Sequence, residues 1–133
     1  LIKGGHMVEF IPRGVSMRPF IEGGRDKVIL RTCKEPKVGI IVLAKVNKSF
    51  VLHRIYKIKG EDIILQGDGN LRGQEVCRFE DIIGRVVRMK GREGKRKRLT
   101  KARIWRHTPV FIKWFVLKIY SKIIKLQNII YEN

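Results

Sequence analysis

Before residue 90 the sequence is a series of short apolar runs separated by turn residues, and this spacing constrains the fold more than any other feature. The runs are rich in Val and Ile, and each is too short for a typical helix. They occupy residues 8–11, 27–31, 39–46, 50–58, 62–66 and 82–89. Glycine, proline and asparagine stand between them, as they do at the ends of strands. The pattern predicts a mainly β protein with a compact, coiled, barrel-like body.

The C-terminal third differs from this body in charge. Residues 1–89 carry 17 basic and 10 acidic residues, a net charge of +7, whereas residues 90–133 carry 13 and 2, a net charge of +11. Residues 90–109 are strongly basic, and we expect them to form a solvated linker. The chain of 133 residues is most simply one folded body. We therefore expect a β domain at 1–89, the linker, and a C-terminal helix at 110–133.

Residues 110–131 have the spacing of an amphipathic helix. Apolar residues fall on one side of this helix, namely Phe115, Ile119, Ile123, Leu126 and Ile130. Lysines fall on another side, namely Lys118, Lys122 and Lys125. Two interpretations stay open: the apolar side docks on the β body, or the basic helix attaches to an anionic membrane surface. Nucleic acid ranks last as a partner, because the segment has clustered charge but no recognition fold.

The overall composition limits the classes of partner and cofactor. Thirty Lys+Arg against 12 Asp+Glu give a net charge of +18, which predicts attraction to acidic surfaces. Cys33 and Cys77 lack the close spacing of a metal site and are too few for a disulfide framework, which fits a reducing compartment. We expect no metal and no cofactor. The sequence leaves open the oligomeric state, a cytoplasmic or a peripheral membrane location, and an anchor upstream of Leu1, which is not a methionine.

Three side chains with the chemistry of a serine hydrolase stand at separate points of the predicted β body. Ser16 lies in the string GVSMRPF, where a glycine permits a turn and a proline restricts the backbone before it. His53 lies among apolar neighbours on a predicted strand, and Asp68 lies in the glycine turn GDGN. A serine needs an adjacent base, and the base needs a carboxylate that orients it. Taken alone, each residue is more commonly structural, so spacing by itself favours a structural role.

Five strings follow one another along residues 8–89, about two-thirds of the chain: GVSMRPF, VGIIVLA, VLHRIYKI, LQGDGN and IIGRVV. In this order and spacing they resemble the LexA-like and signal peptidase superfamily of serine peptidases. The base in that superfamily is a lysine in LexA-like proteins and in most bacterial signal peptidases. It is a histidine in archaeal and endoplasmic-reticulum signal peptidases. Because His53 stands at the position of the base, the chain is similar to the histidine branch.

The resemblance implies a coiled antiparallel β-sheet and an active site for peptide-bond cleavage. Ser16 would be the nucleophile, His53 the general base and Asp68 the acid. A further aspartate of the family falls near Glu75, where this chain has no aspartate, so the resemblance leaves open whether Asp68 or Glu75 orients His53. Backbone N–H groups of the serine turn would bind the oxyanion, namely those of Gly14, Val15, Ser16 and Met17.

The sequence also departs from the superfamily. Ile40 stands where an aspartate is common, at a position that looks structural. The sequence shows neither the N-terminal membrane helix of signal peptidases nor the DNA-binding domain of LexA-type repressors. The resemblance implies an extended protein or leader-type peptide as substrate, with small residues before the scissile bond. The alternative is a non-catalytic binding module on the same fold, which engages an acidic partner or a membrane surface through its basic tail.

Overall fold

A computed structural model of the chain describes residues 5–132 and consists mainly of one antiparallel sheet. Its strands are β1 (Val8–Phe10), β2 (Lys27–Arg31), β3 (Ile41–Val46), β4 (Ser49–Lys59), β5 (Asp62–Gln66), β6 (Glu75–Cys77), β7 (Ile82–Lys90) and β8 (Arg96–Lys97). Neighbours in the sheet follow the order β1-β2-β7-β3-β4-β5-β6, and β8 pairs with β7. The sheet curls into a half-barrel, so the prediction of a mainly β body is confirmed.

The strand β3 lies near the middle of the sheet and is buried on both faces. Val42 and Ala44 pack into one apolar cluster, which includes residues of β4 and β5. Ile41 points to the other face and joins a second cluster with Met17 and Val86. Alternate side chains of a strand point to opposite faces, so a strand between two apolar layers has an almost unbroken apolar sequence. The buried strand predicted within residues 39–46 is therefore confirmed.

Two strands of the sheet were not expected from the sequence. β6 has three residues and β8 has two, so neither is long enough to show a period of two. β6 pairs antiparallel with β5, with Glu75 opposite Leu65. This pairing brings the carboxylate of Glu75 to His53 of β4. The strands that sequence reasoning missed thus include one that contributes to the candidate site.

The basic segment 90–109 packs against the body and differs in this respect from the solvated linker that we expected. The Lys97 ammonium donates to the buried carboxylate of Asp26 at 2.6 Å. Trp105 belongs to the short helix α1 (Arg103–Arg106). Its indole N–H donates to the Asp68 carbonyl at 2.8 Å. Charge counting treats every lysine as solvated. It cannot show that one of them has a buried carboxylate as partner.

The predicted C-terminal helix is confirmed as α2 (Val110–Glu132). The helix docks through Ile124 and Lys113, which are both buried. The apolar side defined by Phe115, Ile119, Ile123, Leu126 and Ile130 is exposed, so the docking of that side on the β body, one of the two interpretations left open, is not what the structure shows. Within residues 5–132, no helix combines the length and apolar content needed to cross a bilayer.

Candidate active site

Ser16 lies on a tight bend between β1 and β2, which we call the serine loop (residues 11–26). The N–H of Arg18 donates to the Val15 carbonyl at 3.1 Å and closes a turn around the serine. The side chain of Met17 is buried in the core next to it. Ser16 is therefore held by a hydrogen-bonded turn on one side and by a buried anchor on the other.

The glycine turn after β5 (residues 67–70) packs against the serine loop. The N–H of Gly69 donates to the Ser16 carbonyl at 2.8 Å, and the N–H of Asp68 faces the Met17 sulfur at 3.5 Å. A β-carbon placed on Gly67 would lie 2.4 Å from the Ser16 carbonyl oxygen, which is too close for any side chain. The glycine at this position is therefore required by the close approach of two backbone segments.

His53 reaches the serine from β4. Its side chain is 7% exposed, and its Nε2 lies 3.3 Å from Ser16 Oγ. Its Nδ1 lies 2.5 Å from Oε1 of Glu75, the first residue of β6. An ionised carboxylate only accepts hydrogen bonds, so Nδ1 carries the proton and Nε2 is left to accept from the serine hydroxyl. The three side chains thus form a continuous hydrogen-bonded chain from serine through histidine to glutamate.

Asp68, which was expected as the acid, pairs with Arg54 and not with His53. Arg54 donates to its carboxylate from Nε at 3.0 Å and from Nη2 at 2.8 Å. Both side chains are almost fully buried. Arg54 follows His53 in β4, and consecutive residues of a strand point to opposite faces. The structure therefore brings Asp68 to Arg54 and brings Glu75 to His53.

A tyrosine completes the environment of Asp68. The hydroxyl of Tyr56 donates to the Asp68 carboxylate at 2.9 Å. Burial and the negative charge of Asp68 both raise the pKa of Tyr56, so its phenol stays protonated and remains a donor. Nη1 of Arg54 also donates to the carbonyls of Gly39 and Thr100, at 2.8 and 2.6 Å. This buried pair links β4, the turn before β3, the glycine turn and the basic segment, which is a structural role.

The backbone N–H groups expected to bind an oxyanion lie on the serine loop. Among the hydrogen bonds found within residues 5–132, none uses the N–H of Gly14, Val15, Ser16 or Met17. Gly14 has φ of +89°, a left-handed conformation that glycine adopts without strain. These N–H groups therefore remain candidate donors to an oxyanion.

A cavity of about 190 Å³ opens beside Ser16 and His53. Its other lining residues include Arg13, Met17 and Leu52. One edge of β4 at residues 49–53 pairs with β3, and pairing with β5 begins only at Arg54. Across the part of the chain that is described, the other edge of this half of β4 has no strand partner. An open strand edge next to a cavity is suited to an extended peptide.

Within residues 5–132, no group of three His, Cys, Asp or Glu side chains is arranged to hold a metal ion. No protein-family model matches the chain, and no curated protein matches it either.

Sequence reasoning missed Arg54 and Tyr56, the two partners of Asp68. Arg54 and Tyr56 stand at alternate places in β4, which is only a weak signal for a shared face. The pairing of β4 with β5 shifts register between Ile55 and Lys57, and the sequence does not show this irregularity. The sequence contains no sign that Arg54 is buried. The resemblance makes Glu75 a candidate, and the pairing of β5 with β6 brings it to His53.

Proposed function

We propose that the chain is a serine-type peptidase of the LexA-like and signal peptidase superfamily, with Ser16 as nucleophile and His53 as general base. The observation that carries the proposal is the hydrogen-bonded chain Ser16–His53–Glu75 beside a cavity. A buried imidazole normally has a partner for each nitrogen. Here one partner is a carboxylate and the other is the hydroxyl of a serine that lines a cavity. That arrangement matches the roles of base and orienting acid in serine hydrolases.

The reaction begins when Ser16 Oγ attacks the carbonyl carbon of the scissile peptide bond. The serine proton passes to Nε2 of His53, and the carboxylate of Glu75 stabilises the imidazolium that forms. Backbone N–H groups of the serine loop donate to the oxyanion of the tetrahedral intermediate. His53 then gives its proton to the leaving amine. Water, activated by the same histidine, hydrolyses the acyl-enzyme and releases Ser16.

The substrate in this proposal is an extended segment of a protein or leader-type peptide. Backbone pairing with the open edge of β4 would align the scissile carbonyl with Ser16. The adjacent cavity of about 190 Å³ has room for a small side chain before the scissile bond. Support for a small residue comes from this volume together with the sequence resemblance.

The first experiment replaces the nucleophile and the base. We expect Ser16→Ala and His53→Ala each to abolish cleavage of a mixed peptide pool, read out by mass spectrometry of the products. A fluorophosphonate, which reacts with activated serines, should label Ser16 of the wild type and should not label either variant. Activity should also fall in acid, because an imidazolium cannot accept the serine proton.

His107→Ala is the matched control for His53→Ala, since His107 is exposed and lies outside the candidate site. It should cleave and label like the wild type. Cleavage at the wild-type rate by Ser16→Ala would contradict the proposal. If the wild type neither cleaves any peptide nor reacts with the fluorophosphonate, the proposal also fails, and the non-catalytic binding module becomes the better interpretation of the fold.

A further inference from the structure

The side of α2 that faces away from the sheet is apolar along nearly the whole helix. We call this side the outer face; its residues are Phe111, Phe115, Ile119, Ile123, Leu126 and Ile130. Phe111 is 73% exposed, Phe115 63% and Ile130 71%. The residues follow one another at intervals of three or four, so they form one continuous stripe. Helices of globular proteins normally turn such a stripe toward the core.

The opposite side of α2 explains why the stripe points outward. Lys113 is buried, with its ammonium over the rings of Tyr56 and Trp105 at 5.6 and 5.8 Å from their centroids. Arg18 of the serine loop stacks on Tyr120 at 5.7 Å. These cation–π contacts, together with buried Ile124, hold the helix by its more polar side. The apolar stripe therefore contributes little to docking and is available to a partner.

The charges around the outer face indicate the chemistry of that partner. Lys118, Lys122 and Lys125 are exposed along one flank of the stripe. Glu132 is the sole acidic residue in the sequence of the helix. Trp114 lies on the same flank, where the Lys118 ammonium is 4.8 Å from the centroid of its ring. An apolar stripe flanked by lysines and a tryptophan has the composition of a helix that lies in a membrane interface.

We infer that the outer face of α2 binds the surface of an anionic phospholipid bilayer, with the helix axis parallel to the membrane plane. The apolar stripe would enter the boundary of headgroups and acyl chains, and the flanking lysines would contact lipid phosphates. A second copy of the chain suits this face less well, because two molecules of charge +18 repel each other. The inference does not depend on the proposed peptidase activity.

α2 lies beside the serine loop, so binding of a bilayer to α2 would affect which substrates reach the candidate site. A groove runs between them and is lined by Val15, Arg18, Trp114, Lys118 and Lys122, among others. Arg18 Nη1 also lies 3.5 Å from Ser121 Oγ. A bilayer bound at the outer face would therefore lie close to the loop that carries Ser16. Substrates presented at the bilayer surface would reach the candidate site most readily.

The test is sedimentation of the full chain with vesicles. Vesicles of phosphatidylglycerol and phosphatidylcholine should bind the protein, and vesicles of phosphatidylcholine alone should bind it far more weakly. Phe115→Ser removes one large apolar side chain from the stripe and should weaken partitioning about tenfold. Replacing Lys118, Lys122 and Lys125 together by Gln should weaken binding to anionic vesicles on the order of a hundredfold. Each variant is first checked for an unchanged circular dichroism spectrum.

Matched controls separate a specific surface from the general attraction of a basic protein. Phe79→Ser changes an exposed phenylalanine elsewhere and should bind like the wild type. Replacing Lys45, Lys57 and Lys59, which are exposed on β3 and β4, by Gln removes the same charge from the sheet and should have a much smaller effect than the helix triple variant. Ser16→Ala should bind vesicles normally, so loss of activity and loss of binding are distinguishable.

Three results would overturn the inference. The first is the absence of binding to anionic vesicles. The second is equal loss of binding in the helix and sheet lysine variants, which would mean that net charge alone is responsible. The third is a stable dimer in sedimentation velocity that Phe115→Ser dissociates, which would make a second copy the occupant of the outer face. Binding that Phe115→Ser weakens and Phe79→Ser does not would support it.

Discussion

His53 and Arg54 are neighbours in β4, and their side chains serve opposite faces of the same strand. His53 faces Ser16 and Glu75, whereas Arg54 faces Asp68. Each basic side chain thus has its own carboxylate, and the two pairs do not compete. Because side chains alternate along a strand, His53 serves the candidate site and the next residue, Arg54, stabilises the fold.

The two carboxylates should therefore respond differently to neutralisation. Glu75→Gln keeps the size of the side chain but removes the charge that stabilises an imidazolium at His53. We expect kcat for peptide cleavage to fall by roughly 10²- to 10⁴-fold, with little change in thermal stability. Asp68→Asn should chiefly lower the unfolding temperature, because it leaves the Arg54 charge buried without a carboxylate.

Steady-state kinetics and thermal unfolding of both variants distinguish these effects. Glu80→Gln is the matched control for Glu75→Gln, since Glu80 is an exposed glutamate outside the site. It should match the wild type in both measurements. A large loss of kcat in Asp68→Asn at a temperature where it is folded, with Glu75→Gln fully active, would assign the orienting role to Asp68 instead.

At the scale of elements, the glycine turn after β5 acts as a platform for the serine loop. The turn contributes no reacting side chain. It holds the Ser16 carbonyl through a hydrogen bond from the N–H of Gly69. The approach is so close that Gly67 has no room for a methyl group. β5 thus positions the candidate nucleophile Ser16 indirectly, by fixing where this turn meets the loop.

Gly67→Ala should test that contact. The new methyl group would meet the Ser16 carbonyl oxygen, and the loop would have to move. We expect a loss of roughly 1 to 3 kcal/mol in the free energy of unfolding, and slower fluorophosphonate labelling of Ser16. Urea unfolding and labelling rates measure the two effects.

Gly73→Ala provides the control, because a β-carbon there has no heavy atom within 4 Å and the residue does not need a left-handed conformation. Its stability and labelling rate should stay close to those of the wild type. Equal stability of the Gly67 and Gly73 variants would show that the glycine turn does not constrain the serine loop.

At the scale of the whole molecule, Asp26 joins the serine loop to the basic segment that follows β7. Its side chain is fully buried and accepts from the Glu22 N–H at 2.7 Å and from Lys97 at 2.6 Å. Arg25 donates to the same carboxylate at 2.7 Å. Burial alone would raise the pKa of Asp26, but the hydrogen bonds from Arg25, Glu22 and Lys97 outweigh it and hold the pKa below its usual value of 3.8.

This balance predicts a pH-dependent contribution to stability. A carboxyl whose pKa is lowered on folding stabilises the native state above its unfolded pKa, and the contribution disappears as the pH falls through the folded value. Asp26→Asn should therefore lower the free energy of unfolding by about 3 kcal/mol at pH 7. The difference in the free energy of unfolding between variant and wild type should stay constant down to about pH 5 and become smaller below pH 3.8.

Urea unfolding of both proteins between pH 7 and pH 2.5 measures the difference. Asp62→Asn is a suitable control, because Asp62 is exposed and should show a small effect at every pH. If Asp26→Asn lowers the free energy of unfolding by the same amount at every pH, the ionised carboxylate does not stabilise the fold through these hydrogen bonds.

Much of the architecture is local and could be read from the order of residues. The apolar runs around residues 27–31 and 62–66 became strands with those bounds, because each run matches the period and length of a strand. The helix at 110–132 followed from its own periodicity. Ser16 and His53 were candidates because their residue types carry the chemistry and because the strings around them resemble a known superfamily.

Other features depended on contacts between segments far apart in the chain, which local patterns do not encode. The choice of Glu75 over Asp68 depended on the pairing of a three-residue strand and on the burial of Arg54. The direction of α2 depended on cation–π contacts of Lys113 and Arg18, which held the polar side of the helix against the body. The sequence alone thus determined most of the strands, the C-terminal helix and the candidate side chains Ser16 and His53. Only the tertiary structure decided which carboxylate meets His53 and which side of α2 meets the solvent, because both outcomes depend on long-range packing and charge pairing.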